Sequence, residues 1–329
     1  MRDLRLWRSW RGGLLVGLLS AIVASGAVGQ TFPSKPIRII VGGPAASPGD
    51  MLSRMIGERM AEALGQPVVI ENKPGASGLI AAEMVAKASP DGHTLLLNTT
   101  ATWAILPHVR KTLPYDPAKS FAAVSMLATA DNVMVVSKNH RAKTLVEFIQ
   151  YAKANPDKVN YGSAGIASPA HLAGEMLSLH AKLTMNHVPY KGAAPALTDM
   201  VGGLIDFIIT SPISADPQVR NGSAIVLGTT GSKRNPAFPQ IPTIGEVVPG
   251  YELSQSWGIL APSGVPREIL SRIQVVIEAT LKRPDVVEKI RAMGAIPVGG
   301  SMADFDAYML QERKRMGELI GRTGITLAD

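Results

Sequence analysis

Short β-branched runs alternate with amphipathic stretches of helical length from residue 37 onward, and this alternation limits the fold more than any other feature of the chain. Ile37-Arg38-Ile39-Ile40-Val41 ends at Gly42-Gly43-Pro44 and gives way to Met51, Leu52, Met55, Ile56 and Met60 at helical spacing. Gly65 closes that helix, and Pro67 opens the run Val68-Val69-Ile70. A helix over 75–88 and a strand over 94–97 complete a strand–helix–strand–helix–strand series, which predicts a parallel sheet covered on both faces.

Beyond residue 120 the rhythm changes. Two strand-like runs, 122–127 and 133–137, follow one another with no helix between them, as expected of a segment that leaves one sheet and enters another. Helices over 144–154, 169–180 and 195–201 then alternate with strands at 159–161, 187–188, 206–209 and 226–227. After a last strand at 256–260, three helices (266–281, 284–293 and 302–321) form a tail that must cover something, and a return to the first domain is the economical expectation. A length of 329 residues accommodates about two domains of roughly 150 residues each. No tandem repeat of solenoid length is visible.

The first 29 residues are expected to be a leader. Arg2, Arg5, Arg8 and Arg11 precede a short apolar run over 14–23, and Ala27-Val28-Gly29 supplies small residues at the −3 and −1 positions of a cleavage site before Gln30. The run is shorter than the roughly 20 residues of a membrane-spanning helix. The leader carries four Arg and one Asp, so removing it leaves a net charge of about four of the original +7. The remaining basic residues are scattered, and the cluster Arg313-Lys314-Arg315 fits a solvated helix face better than a nucleic-acid surface. With no cysteine, the chain excludes disulfides, thiolate metal sites and cysteine nucleophiles. Only 5% of residues are aromatic, which disfavours stacking sites for sugars or nucleobases and favours a small organic acid.

Two strand-to-helix junctions resemble each other: Gly42-Gly43-Pro44-Ala45-Ala46-Ser47-Pro48-Gly49-Asp50 and Gly162-Ser163-Ala164-Gly165-Ile166-Ala167-Ser168-Pro169-Ala170-His171. Each reaches Ala-Ser-Pro before an amphipathic helix, with Ser as N-cap and Pro at the first helical position. Two readings fit. The helix starts could form paired anion sites facing each other across a cleft, or the motif could be capping alone, as it is for the turn Ala88-Ser89-Pro90-Asp91-Gly92. Asn98-Thr99-Thr100-Ala101-Thr102 adds hydroxyl and amide groups at the same edge of the first sheet. Asp50 is expected to pair with Arg54 four residues on.

Enzyme signatures fail in turn: there is no Gly-x-Ser-x-Gly elbow, Ser-x-x-Lys, His-Glu-x-x-His or P-loop, and the six histidines lack zinc-ligand spacing. Ser168 and His171 leave open a secreted Ser/His hydrolase, although no third member accompanies them. His171 as a packing or cleft-lining residue is the simpler reading.

Several segments together resemble the periplasmic solute-binding proteins of tripartite tricarboxylate transporters, the Bug family. They are Lys35-Pro36-Ile37-Arg38-Ile39-Ile40-Val41, Gly65-Gln66-Pro67-Val68-Val69-Ile70-Glu71-Asn72-Lys73-Pro74-Gly75-Ala76 and Pro90-Asp91-Gly92-His93-Thr94-Leu95-Leu96. Leu113-Pro114-Tyr115-Asp116-Pro117, Ser168-Pro169-Ala170-His171-Leu172-Ala173-Gly174-Glu175 and His187-Val188-Pro189-Tyr190-Lys191-Gly192 complete the set. The resemblance covers essentially all of the chain after the leader. It implies an α/β fold of periplasmic-binding-protein type, with two domains closing over a carboxylated ligand and a two-component membrane permease as partner.

Two departures stand out. The family's first loop usually reads Pro-Phe-x-Ala-Gly-Gly, where this chain has Gly42-Gly43-Pro44-Ala45-Ala46-Ser47-Pro48, and the acidic residue often found four positions after Asp206 is replaced by Thr210-Ser211. If that acid holds a ligand amine or hydroxyl in relatives, this chain prefers a ligand without one.

The expectation is therefore a two-domain α/β binding protein with a ligand cleft between residues 30–131 plus 253–329 and residues 132–252. It is expected to be exported to the periplasm, monomeric, and free of cofactor, metal and nucleic acid. Ligand contacts are expected from Ala45, Ala46, Ser47, Gly49, Asp50, Thr99 and Thr100 in the first domain. Ser163, Ala164, Gly165, Ser168 and His171 are expected to supply them in the second. A ligand-loaded sensor docking on a membrane kinase would carry the same features.

Overall fold

The computed structural model describes residues 32–166, 168–190, 192–235 and 239–324. The expected leader, 1–29, lies outside the described residues. The chain runs β1 (Ile37–Val41), α1 (Pro48–Leu64), β2 (Val68–Asn72), α2 (Leu79–Ala86) and β3 (Thr94–Thr99). A π-helical turn at Ala101–Ile105 then leads to α3 (Leu106–Val109) and β4 (Phe121–Asp131). β5 (Val133–Ser137), α4 (Leu145–Ala154), β6 (Val159–Ser163), α5 (Pro169–Ala181), β7 (Met185–Pro189) and α6 (Ala193–Gly202) follow. After β8 (Phe207–Thr210) come α7 (Pro212–Arg220), β9 (Ala224–Thr229), α8 (Ile244–Val247) and β10 (Ser254–Pro262). The tail is α9 (Arg267–Leu281), α10 (Pro284–Ala292), β11 (Ile296–Pro297) and α11 (Met302–Thr323).

Local chemistry accounts for most element ends. Gly65 takes a left-handed φ of 71° and donates its N–H to Ala61 O, which stops α1 where the sequence predicts. Thr144 with Glu147, and Ser301 with Asp304, close capping boxes on α4 and α11. The π-turn, α3, α7, α8 and β11 are the elements the periodicity does not announce; four of these five span five residues or fewer, too short to display a period.

The strands form two sheets, ordered β11-β4-β10-β3-β1-β2 and β7-β6-β8-β5-β9. In the first, β1 pairs in parallel with β2 and β3, as expected, but β10 lies antiparallel between β3 and β4 and makes the sheet mixed. The second repeats this plan, with β6 parallel to β7 and β8 and with β5 antiparallel to β8 and β9. Each sheet thus receives its one reversed inner strand from the segment that has just crossed from the other sheet.

The crossings are laced together. β4 ends at Asp131 and β5 starts at Val133, so Asn132 alone makes the outward crossing. Its N–H donates to Thr230 Oγ1 at 2.9 Å, and its carbonyl accepts from Thr230 N at 2.9 Å. Thr230 O in turn accepts from Leu253 N at 2.8 Å, on the returning strand's approach. Asp131 is buried beside them, accepts from Ser254 Oγ at 2.7 Å, and has its pKa raised chiefly by desolvation.

Period-2 alternation splits the first sheet's residues between two faces. Ile39, Val41, Leu95 and Leu97 pack with Leu52, Ile56, Ile273 and Ile277 from α1 and α9. Ile40 and Leu96 face Ala81, Ala82, Trp103, Phe305 and Met309 on the other side. The helical tail therefore returns to the first sheet and seals both of its faces.

Candidate ligand site between the two sheets

A cavity of about 420 Å³ lies between the sheets, in the range of small-molecule sites. The first sheet contributes the β1–α1 turn, with Gly43, Ser47 and Gly49, and the end of β3, with Asn98 and Thr99. Asn132 and Gln255 form the floor where the chain crosses, and the starts of α5 and α7 contribute Pro169 and Ser211, Pro212 and Ile213. The position is the one expected of an open α/β sheet: β1 is flanked by β2 and β3, so the helices leaving β1 and β3 diverge and open a crevice beyond their C-terminal ends. Concavities of about 640 Å³ at 107–120 and about 660 Å³ between α1 and α9 are each built on the first sheet's side alone.

Three helices begin at this cleft with the same two residues, Ser47-Pro48, Ser168-Pro169 and Ser211-Pro212. In each, the Ser side chain accepts the N–H of the third helical residue, which is Asp50, His171 or Ser214. Proline at the first position carries no N–H. The motif thus uses up most of the donors a helix start normally offers and leaves the second residue's N–H. Gly49 N in α1 and Ile213 N in α7 make no hydrogen bond with protein among the described residues.

Ser47, Gly49 and Thr99 line the cavity. A Cβ at Gly49 would come 2.9 Å from Leu97 Cδ2 and 3.4 Å from the Trp257 ring, so glycine lets the backbone sit this close without displacing the Leu97 tip. Ala45 and Ala46 are exposed beside the cavity. Ala46 adopts a left-handed φ of 61° and donates its N–H to Asp50 Oδ2 at 3.0 Å. Asp50 is buried and turned toward Arg54, which donates to both carboxylate oxygens at 2.9 and 3.0 Å and holds the Asp50 pKa below the usual carboxylate value. Asp50 thereby fixes the loop. Thr100 is buried, and its Oγ1 accepts from Ser256 N at 3.0 Å, tying β3 to β10.

The second junction is organised otherwise. Ser163 is fully buried, with its Oγ 2.9 Å from Gly165 O and 3.1 Å from Gly165 N, and it shares a 2.6 Å hydrogen bond with His187 Nε2. The His187 ring stacks on His171 at 3.7 Å with 8° between planes, and Tyr161 stacks on His187 at 5.0 Å. Tyr161 donates to Glu175 Oε1 at 2.5 Å, and His171 Nε2 lies 3.7 Å from the same oxygen. Burial, reinforced by the neighbouring His171, pushes His187 down to about 4, while hydrogen bonds from His171 and Tyr161 lower Glu175. Gly165 holds a φ of 127°, Ala164 is exposed, and Ser168 caps α5. This junction reaches the cavity wall through Pro169.

The wall residues that sequence reasoning passes over are Asn132, Ser211, Pro212, Ile213, Gln255, Trp257 and Met293. One signal pointed to part of this set: Phe207-Ile208-Ile209-Thr210 is a strand-like run that ends in a third Ser-Pro.

The sequence matches the family model described as tripartite tricarboxylate transporter family receptor, TctC, over residues 52–325. The chain belongs to this family. A UPF0065 protein from the tcbD-tcbE intergenic region of Pseudomonas sp. (strain P51) is 34% identical over 315 residues, covering 94% of both chains. Among solved structures, R. palustris Rpa4515 with adipate is similar at TM-score 0.75 and 33% identity, covering 90% of this chain and 99% of that one. MatC from Rhodopseudomonas palustris with bound malate is similar at TM-score 0.71 and 29% identity, covering 88% and 100%. The fold is that of these periplasmic binding proteins, and as a TctC-family receptor the protein is a solute-binding protein and not an enzyme. The 2.6 Å Ser163–His187 contact accordingly belongs to the fastening of a loop, and Ser168 to a helix cap. No helix among the described residues is long and apolar enough to cross a membrane, and those residues hold no cluster of three or more His, Asp or Glu side chains placed to bind a metal ion.

Proposed function

We propose that this TctC-family receptor works in the periplasm, captures a small carboxylate by closing its two lobes, and delivers it to a two-component membrane permease. The observation that carries this reading is the cavity shared by both sheets, whose lobes are joined through the laced crossings at Asn132 and Thr230–Leu253. Such a connection suits hinge closure. In this reading the lobes are residues 30–131 with 253–329, and 132–252, and residues 1–29 direct export before removal. The receptor acts as a monomer.

Ser47, Gly49 and Thr99 would touch the ligand, with Ala45, Ala46, Asp50 and Thr100 holding their loops in place. Ser163, Ala164, Gly165, Ser168 and His171 would set the opposing loop and the approach of α5. The adipate and malate in the two similar structures support an organic acid as cargo.

The test is a thermal-shift panel of mono-, di- and tricarboxylates, amino acids, sugars and a model ester, run on residues 30–329 stripped of carried-over ligand by unfolding and refolding. An acid at about 100 times its dissociation constant stabilises the fold by roughly 2.7 kcal/mol, a readily measured shift. A shift with one class of acids is expected. Silence across all acids, or consumption of the ester, would overturn the reading.

A further inference from the structure

One stretch of the cleft wall is built from backbone that its residues do not favour. Between β2 and α2 the chain makes a short 3-10 turn, Ala76–Gly78, with φ of 46° at Ala76, 56° at Ser77 and 88° at Gly78. Ala76 and Ser77 carry a Cβ, which a left-handed backbone drives toward the following carbonyl oxygen. Such strain persists only where the surroundings hold it in place.

The clamp is visible here. Gly78 N donates to Gly75 O at 2.9 Å, and Gly78 O accepts from Asn98 Nδ2 at 2.9 Å. Asn98 is buried, and its Oδ1 accepts from Thr99 N at 3.0 Å. A Cβ on Gly78 would come within 2.4–2.9 Å of the Asn98 amide, and one on Gly42 within 2.9 Å of Gly78 Cα. The turn is therefore pressed against both the β1–α1 loop and the end of β3, and Asn98 fixes it relative to Thr99.

The clamped turn brings one side chain to the cleft. Ser77 and Thr99 both line the cavity, whereas Ala76, strained alike, does not. Ser77 is exposed, and its Oγ makes no hydrogen bond with protein among the described residues. A glycine at 77, like those at 75 and 78, would make the same turn without the steric cost. Serine adds a hydroxyl, which can donate one hydrogen bond and accept two.

Given that the cleft holds an acid, we propose that Ser77 is a cargo-contact residue. Its hydroxyl donates to an oxygen of the bound acid, and the Asn98–Gly78 hydrogen bond keeps it within reach.

Calorimetric titration of the ligand-free receptor with adipate, malate, citrate and hexanoate, joined to thermal unfolding, tests the idea in three variants. Each is scored with whichever of the four acids binds the unmodified receptor most tightly. Ser77→Ala keeps a Cβ in the left-handed turn and removes only the hydroxyl. Its affinity is expected to fall about threefold to tenfold, the worth of one hydrogen bond, with the unfolding midpoint of the free receptor unmoved. Ser77→Gly is expected to lose affinity to the same extent while its midpoint holds or rises, because relief of the steric cost offsets the freer unfolded chain. Ala76→Gly should move the midpoint in the same way and keep the affinity of the unmodified receptor. Three results would each overturn the assignment of Ser77 while leaving carboxylate capture intact: unchanged affinity in Ser77→Ala, a loss there accompanied by a lower midpoint, or an equal loss in Ala76→Gly. If none of the four acids binds the unmodified receptor, the assignment falls; carboxylate capture itself falls only if the wider panel of acids is silent too.

Discussion

The starts of α1 and α5 share Ala-Ser-Pro and the same Ser cap on the third helical residue, yet they are fastened by different physics. In α1 that residue is Asp50, an anion locked to Arg54 and to the backbone of Ala46. In α5 it is His171, a ring stacked on His187, which itself hangs on the Ser163 hub that pins Gly165. The shared motif makes a helix start. The third residue decides whether the preceding turn is held by charge or by a stack of rings. Position differs as well: the α1 turn supplies several wall residues, whereas α5 supplies Pro169 and yields most of the facing wall to α7.

The sharpest way to test this contrast is to add one methyl group behind each helix. At Gly174 of α5 a Cβ would meet the Tyr161 ring at 2.2–2.7 Å, and that ring is clamped by His187, Phe207 and Glu175. Gly174→Ala should therefore cost about 1–3 kcal/mol by overpacking, offset by at most about 1 kcal/mol of helix propensity. At Gly49 of α1 the nearest atom is the tip of Leu97, 2.9 Å away, which can swing aside. Urea unfolding of Gly174→Ala and Gly49→Ala should show the larger loss in the former. Equal losses would break the contrast between a rigid stack and a forgiving wall.

What the sequence makes legible follows the range of the interaction that fixes it. Gly65, Thr144 and the Ser-Pro starts act within four residues of themselves, so their helix ends could be read directly. The pair of adjacent strands without a helix between them correctly marked the crossing from the first sheet to the second. Ser211-Pro212 was equally readable, but attention to an absent acid at Thr210-Ser211 hid the helix that begins there. Trp257, Gln255 and Met293 could not be read at all. They reach the cleft because β10 inserts between β3 and β4 and because the chain after α10 folds back on β4, both products of long-range pairing. The histidine stack is similar: His187 lies beside Tyr161 through the β6–β7 register, so the close Ser–His contact joins Ser163 and His187, not the sequence neighbours Ser168 and His171.

Acid should separate the two fastenings with a smaller effect. His187 has a folded pKa near 4, below its ordinary 6.5, so the folded state prefers the neutral ring while the unfolded chain takes up a proton first. Its contribution is therefore complete above about pH 6.5 and is lost as pH falls toward 4. Asp50, held below its usual 3.8 by Arg54, keeps the α1 turn through that whole window. Hydrogen exchange between pH 7 and 4 should show the 163–171 segment opening before 42–50, and His187→Gln should flatten the fall in unfolding midpoint. A fall of the same size in His187→Gln would remove the stack as its cause.

The smallest effect should come from backbone strain, and here the two loops predict opposite signs. Ala46 sits at φ 61° with its N–H committed to Asp50, a left-handed conformation that costs an L-residue roughly 1–2 kcal/mol. Its counterpart in strain, Gly165, holds φ 127° with the one residue type that tolerates it. Ala46→Gly relieves the steric cost but frees the unfolded chain, an opposing effect of about 0.4–1 kcal/mol. The net is a gain of about 0 to 1.6 kcal/mol, seen as a slightly higher unfolding midpoint. Gly165→Ala should lower the midpoint instead. If both substitutions moved it the same way, the strain at Ala46 would not be stored in its φ, and the Asp50 carboxylate would be relaxing that turn rather than holding it under tension.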